Sequence, residues 1–318
     1  MQTIERIPTR QDIVETYEAI QDMIHLTPVM TSESLNAITG AELFFKCENF
    51  QKIGAFKMRG ASSAAVRLTE SQLKKGLATH SSGNHAQAVA RAARWLGVPA
   101  YIVMPEKAPA IKKAATEGYG AKIIPCAATI EARETTLGEV IEQTGATFIH
   151  PYDNYDVIAG QATCAFELLQ DVEELDVIMA PVGGGGLISG TAVSTRYWSP
   201  STKVIAAEPE RVNDAWRSFQ SGKIERNERI DTIADGLRTN LGVRNFDIIR
   251  KHVDDIITVS EEAIVEAMQL VWERMKIIIE PSCAVPVAAV LQNPERFAGE
   301  KIGIILTGGN VDLRNLPF

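Results

Sequence analysis

Four consecutive glycines, Gly183, Gly184, Gly185 and Gly186, follow an apolar run at 177–181 and precede a helical pattern that opens at Leu187 and runs to 197. Residues without Cβ let several backbone N–H groups turn onto one anion, and the following helix adds a favourable dipole. The run reads as a phosphate cup, with a flexible turn as the plain alternative. It fits neither G-x-G-x-x-G nor G-x-x-x-x-G-K-[ST], which argues against a dinucleotide or P-loop site. A second group is Ser81, Ser82, Gly83, Asn84 and His85, between an apolar run and a helical one. Hydroxyls, a carboxamide and helix-start N–H groups suit a carboxylate. Simple helix capping by Ser and Asn suits the same string equally well. The third is Lys57, set in Gly54-Ala55-Phe56-Lys57-Met58-Arg59-Gly60. An amine desolvated by apolar neighbours has a lowered pKa and can form a Schiff base. A surface lysine lying along an apolar patch is the ordinary alternative.

Taken together, a phosphate cup, a carboxylate turn and a lysine in an apolar loop are the parts that a pyridoxal phosphate enzyme acting on an amino acid needs.

These groups need a scaffold that brings them together. Short apolar or β-branched runs at 42–47, 77–80, 100–104, 122–126, 177–181, 204–207 and 302–306 predict strands. Helical patterns lie between them, at 85–96, 108–119, 187–197 and 261–276. In the last of these Ser260 is the expected cap, and Ile264, Met268, Val271 and Met275 share one face. Alternation of this kind implies an α/β protein with mainly parallel, twisted sheets flanked by helices. Boundaries near Gly76 and Pro151 divide it into a small domain, 76–151, and a discontinuous larger one, 1–75 with 152–318. Ligands in such folds sit at the carboxyl ends of the strands.

The 318 residues are 45% hydrophobic, enough for a substantial core. The net charge of −8 argues against nucleic acid and anionic membrane surfaces as partners. No apolar run is long enough to span a bilayer, and Met1 to Glu15 shows no apolar stretch of a secretory signal. The four cysteines, Cys47, Cys126, Cys164 and Cys283, are far apart, which suggests buried, reduced thiols and a cytoplasmic setting. The five histidines form no H-E-x-x-H pattern, against a zinc enzyme.

Residues 48–61, Glu-Asn-Phe-Gln-Lys-Ile-Gly-Ala-Phe-Lys-Met-Arg-Gly-Ala, resemble the cofactor-attachment signature of the serine/threonine dehydratase family. That family belongs to the fold-type II (tryptophan synthase β-like) pyridoxal phosphate enzymes. The likeness continues through 81–87, Ala159-Gly160-Gln161, 183–186, Ala234-Asp235-Gly236 and Thr307-Gly308-Gly309-Asn310. Ala55 stands where many members have serine. The resemblance implies that Lys57 carries the cofactor and is the base at Cα, that Phe56 flanks the ring, and that Asn84 bonds its phenolic oxygen. It implies that Gly183 to Gly186, with Leu187, hold the phosphate and that Thr307 faces the pyridine nitrogen. A neutral hydroxyl there cannot keep that nitrogen protonated as a carboxylate would. Ser81, Ser82, Asn84 and His85 would grip the substrate carboxylate, with Tyr152 and Asp235 beside the substrate.

Threonine dehydratases of the family usually have alanine where this chain has Ser82. Serine at that position resembles the branch of serine racemase and 3-hydroxyaspartate dehydratases. Trp272-Glu273-Arg274-Met275-Lys276 and Ile279-Glu280-Pro281 resemble the same branch. In it, this serine is an acid/base on the face opposite the lysine; a further hydrogen bond to the carboxylate is the other role open to it. The branch also binds a divalent cation, and Glu208, the Val212 carbonyl and Asp214 match its ligands. Two carboxylates and a carbonyl suit Mg²⁺, Ca²⁺ or Mn²⁺. Arg133 and Arg238 are cations able to meet a second substrate carboxylate, or else are ordinary surface or structural arginines. The expected activity is an ammonia-lyase acting on serine, threonine or 3-hydroxyaspartate, with racemisation as the alternative. The family also implies a homodimer.

Overall fold

The structure is a computed structural model that describes residues 1–108 and 110–318. Among the described residues, ten strands form two sheets. In chain order they are β1 (Val29–Thr31), β2 (Glu42–Cys47), β3 (Leu77–His80), β4 (Ala100–Pro105), β5 (Lys122–Cys126), β6 (Thr147–Phe148), β7 (Val177–Pro181), β8 (Lys203–Pro209), β9 (Asp255–Val259) and β10 (Lys301–Leu306). The larger sheet runs β1-β2-β10-β7-β8-β9 and the smaller β5-β4-β3-β6. Every pairing is parallel except β1 with β2. This is the expected α/β architecture.

The parallel pairs have a simple cause. Their strands are apolar on both faces, as β7 shows with five buried residues, and helices cover them on either side. All seven strand regions expected from the sequence are present. The antiparallel edge strand β1, the two-residue β6 and the edge strand β9 were not expected; they are short or half-buried and carry little alternating signal.

The helix at Glu261–Met275 begins as expected, with the Ser260 side chain accepting from the Ala263 N–H. Ile264, Met268, Val271 and Met275 are all buried. The helix expected over 108–119 occupies Ala110–Gly118; Pro109 lies outside the described residues. All four cysteines are buried and unpaired. No helix among the described residues is long and apolar enough to cross a membrane.

Helices Lys57–Val66 and Tyr155–Asp171 cross at very close range. A Cβ on Gly160 would lie 2.5 Å from the Arg59 carbonyl oxygen, so only glycine permits the approach. The same junction buries Arg59 completely. Its guanidinium donates to both Glu48 oxygens, at 2.7 and 2.8 Å, and to both Glu167 oxygens, each at 2.7 Å. Buried Lys46 lies 2.7 Å from Glu167. A buried charge is tolerated only when paired in this way. The network anchors the start of the helix that carries Lys57.

Candidate active site

The loops that follow β2, β3, β7 and β10 all lie at carboxyl ends of parallel strands, where a ligand is expected in this architecture. The lysine loop is stitched to the loop after β10. Ala55 bridges Gly308, and the Phe56 N–H donates to the Thr307 carbonyl at 3.0 Å. Just before it, Ile53 (φ 65°) and Gly54 (φ 70°) are both left-handed. That conformation is costly for a β-branched residue and persists only where its surroundings enforce it. Here the Asn310 side chain donates to the Ile53 carbonyl at 2.7 Å, and the Gly309 N–H to the Gly54 carbonyl at 2.9 Å.

Lys57 opens its helix with a partly accessible side chain. Nζ donates to the Pro151 carbonyl at 2.8 Å and lies 5.1 Å from the centre of the Phe56 ring. Burial depresses the amine to about 8, against an opposing pull from Glu280. This is a poised amine rather than a surface lysine.

Pro151 leads directly to Tyr152, whose ring packs against Gly184; a Cβ there would meet its carbons at 2.3–2.4 Å. Lys57 and the glycine run are thus neighbours across a single dipeptide. Residues 183–186 are buried. Gly185 has φ +93°, which a side chain would resist. The Gly184 carbonyl is held by the Gly242 N–H at 3.0 Å and the Asn245 amide at 2.8 Å. Among the described residues, no N–H of 183–186 donates to another protein group. Buried donors without acceptors at the start of helix Gly186–Trp198 fit a phosphate.

Helix Asn84–Leu96 starts at Gly83 with no side-chain cap. The capping alternative for Ser81 and Asn84 therefore fails, and the helix-start donors are free for an anion. Asn84 is engaged elsewhere. Its amide donates to Glu280 at 2.9 and 3.2 Å, and its oxygen accepts from Asn310 at 2.8 Å. Ser81 Oγ accepts weakly from the Gly83 N–H, and Ser82 is half-buried.

His85 is buried, with Nε2 2.9 Å from the Ile149 carbonyl, so Nε2 carries the proton. Burial, with Lys57 nearby, depresses the imidazole to about 3. A neutral ring whose only N–H is committed cannot clamp a carboxylate as a cation. What His85 can offer is its backbone N–H. His150, beside Tyr152, accepts the Tyr152 and Asp153 N–H groups at 3.2 and 2.8 Å and is depressed to about 4 by burial.

Thr307 is buried at the end of β10, against the Cys283 thiol. Asp235 pairs with Lys112 at 2.6 Å. Arg133, on helix Ile130–Thr144, has a buried Nε without a partner and acts electrostatically on His80 and Cys126. Arg238 is spent on structure: its guanidinium donates to the Thr232 carbonyl, at 2.8 Å from Nε.

Glu208 and Asp214 are fully buried at the end of β8 and the start of helix Asp214–Ser221. Glu208 accepts the Ala215 and Trp216 N–H groups at 3.1 and 2.8 Å; Asp214 accepts from Leu241 at 2.7 Å. Burial raises both, and the Asp214 charge adds to the effect on Glu208. Among the described residues, no group of three or more His, Cys, Asp or Glu is placed to hold a metal. Val212, also buried, lies between the two acids in the chain.

The site contains one residue that the sequence alone did not single out for chemistry. Glu280 is 4% exposed, bonded to Asn84, and pushed up to about 7 by burial, with Asp235 adding to the effect. The signals were an acid directly after the apolar run 277–279 and its place in the branch-like stretch Ile279-Glu280-Pro281.

A partly accessible, poised lysine beside a glycine run and an uncapped helix start, on a two-sheet α/β scaffold, has the features of a pyridoxal phosphate site. The chain belongs to the pyridoxal-phosphate dependent enzyme family, whose model matches residues 20–308. It is 49% identical to the beta-hydroxyaspartate dehydratase of Paracoccus denitrificans (strain Pd 1222), over 98% of this chain and 99% of that one. It is also 49% identical to the serine racemase of Dictyostelium discoideum, over 97% and 96%. The crystal structure of the Dictyostelium serine racemase superposes with a TM-score of 0.92, at 50% identity, covering 96% of this chain and 99% of that one.

Proposed function

We propose that this chain is an ammonia-lyase that converts a β-hydroxy amino acid to a 2-oxo acid and ammonia. Its substrates are 3-hydroxyaspartate, serine or threonine. The observation that carries the reading is the poised Lys57 amine, which shares the Pro151-Tyr152 dipeptide with the glycine cup. Pyridoxal phosphate, when bound, supplies an aldehyde for an amine and an electron-withdrawing ring that acidifies Cα–H. Residues 183–186 and Leu187 would hold its phosphate, Phe56 and Asn84 would flank it, and Thr307 would face its pyridine nitrogen.

The substrate carboxylate lies at the start of helix Asn84–Leu96, gripped by Ser81, Ser82, Asn84 and the His85 N–H. Lys57 would then take the Cα proton, and the β-hydroxyl, gaining one proton, would leave as water. A neutral threonine at the pyridine nitrogen leaves a weak electron sink, which favours prompt departure. Tyr152, Asp235 and Arg133 border the β-substituent; with Arg238 committed to Thr232, Arg133 is the cation left for a second carboxylate.

Racemisation is the second reading. Ser82 favours it, as a hydroxyl able to return a proton on the face away from Lys57. A panel of serine, threonine and both 3-hydroxyaspartate diastereomers, with keto-acid release and product chirality measured, separates the two. Release of keto acid from none of them would defeat the lyase reading.

The same proposal covers the remaining features. Residues 76–151 form a small substrate-gripping domain, and 1–75 with 152–318 a large cofactor domain. Glu208, Asp214 and the Val212 carbonyl hold a divalent cation, Mg²⁺, Ca²⁺ or Mn²⁺. The support is a pair of buried acids that repel each other, a charge that a hard cation would neutralise. Leu26, Phe50 and Ile278 are exposed apolar residues brought close by the His25–Phe50 and Asn49–Ile278 contacts. They support a homodimer. Free thiols support a cytoplasmic setting.

A further inference from the structure

Glu280 joins two helix starts. It precedes helix Pro281–Leu291 but does not cap it; its carboxyl turns to Asn84, at the start of helix Asn84–Leu96. The Asn84 amide has no freedom to flip. Its oxygen accepts from Asn310, and Asn310 in turn holds the strained Ile53 carbonyl ahead of Lys57. The N–H edge of Asn84 therefore faces Glu280, and both carboxyl oxygens lie within reach of it, at 2.9 and 3.2 Å.

No cation comes to Glu280 directly. Lys57 donates to Pro151 and Lys112 is paired with Asp235. The groups that face Glu280 are Lys57, Asn84, the Lys112–Asp235 pair and, on its own helix, Cys283. An ionised Glu280 can only accept, and it occupies the Asn84 N–H edge. A protonated Glu280 accepts through one oxygen and donates through the other. One Asn84 N–H is then released, and the negative charge beside it disappears.

We propose that Glu280 is a positioning residue that takes up one proton from solvent as the anionic ring oxygen of pyridoxal phosphate enters beside Asn84. The released Asn84 N–H then serves that oxygen. The proposal rests on Asn84 bonding the cofactor's phenolic oxygen. It explains why a carboxyl is held within the cofactor cleft without an ion-pair partner: two anionic acceptors side by side on one amide edge repel each other unless a proton is added. The shift of Glu280 to about 7 places the change in the neutral range.

The test uses cofactor-free protein and pyridoxine 5′-phosphate, which has no aldehyde and so removes the covalent part played by Lys57. Dissociation constants are measured at pH 6 and pH 8 for the wild type and Glu280→Gln. The ratio of wild-type to variant constants cancels the ligand's own titration. It should rise about tenfold between the two pH values, as Glu280 ionises. An unchanged ratio overturns the proposal. Should Glu280→Gln fail to fold, calorimetry on the wild type at pH 8, in two buffers of different ionisation enthalpy, decides. Uptake of close to one proton per site is expected, and no uptake overturns the proposal. Failure of the wild type to bind at either pH would instead remove the cofactor reading on which it rests.

Discussion

The Lys57 amine lies 2.8 Å from the carbonyl oxygen of Pro151, across 94 residues of sequence. That bond ties the loop after β2 to the segment whose next residue, Tyr152, lies on the glycine cup. It also holds the amine in a cleft dry enough to depress it to about 8. Only the neutral amine attacks an aldehyde.

Cofactor capture by the emptied protein should follow that titration. Below pH 8 the neutral fraction of Lys57 falls about tenfold per unit. The rate of imine absorbance growth should therefore climb from pH 6 to about 8 and level off above it. A profile still rising at pH 10 would mean an unperturbed lysine. Lys57→Ala should show no imine band and lose about 10²–10⁴-fold or more in elimination rate, the scale of a lost general base.

Ser82 separates the two reactions. Ser82→Ala should abolish the D-isomer while sparing most keto-acid release, as read by chiral chromatography beside a keto-acid assay. Equal loss of both would show that the hydroxyl serves only to grip the carboxylate.

Arg59 tests the scaffold. Arg59→Met strands Glu48 as a buried, uncompensated acid and leaves Glu167 with Lys46 alone. Loss of one partner of a buried pair typically costs about 3–5 kcal/mol. A fall in Tm of about 10 °C is expected in a thermal melt. A variant melting like the wild type would show that the network is dispensable.

The acid pair at Glu208 and Asp214 predicts stabilisation by a divalent cation. At a hundredfold excess over Kd, Mg²⁺, Ca²⁺ or Mn²⁺ should add about 2.7 kcal/mol, and chelation should remove it. Glu208→Gln should erase the response in differential scanning calorimetry. Melting curves of the wild type that are identical with and without these cations would dispose of the site.

Much of this was legible because it is local. The strands at 42–47, 77–80 and 177–181 are short, mostly buried runs, and Ser260 caps its helix through a contact three residues away. The motif loops sit at strand ends because parallel topology puts them there. Edge strands β1 and β9 escaped because half-buried residues give no clear period. The role of Arg238 stayed open between a substrate cation and a structural arginine, since nothing in its neighbours shows that the Thr232 carbonyl holds it. Capping by Asn84 stayed open for the same reason.

Residue types and their order along the chain therefore determined the class of fold and the cofactor chemistry, and pointed to the lysine proposed to carry it. Each of these follows from short-range pattern: apolar period, missing Cβ atoms, an amine among apolar neighbours. Tertiary structure alone decided the protonation state of the site. Glu280 and Asn84 are 196 residues apart, and His85 is neutral because the folded chain buries it beside Lys57, although the Ile149 carbonyl, on another segment, accepts a hydrogen bond from its Nε2–H. Desolvation and hydrogen-bond partners are properties of three-dimensional proximity, and no spacing in the chain encodes them.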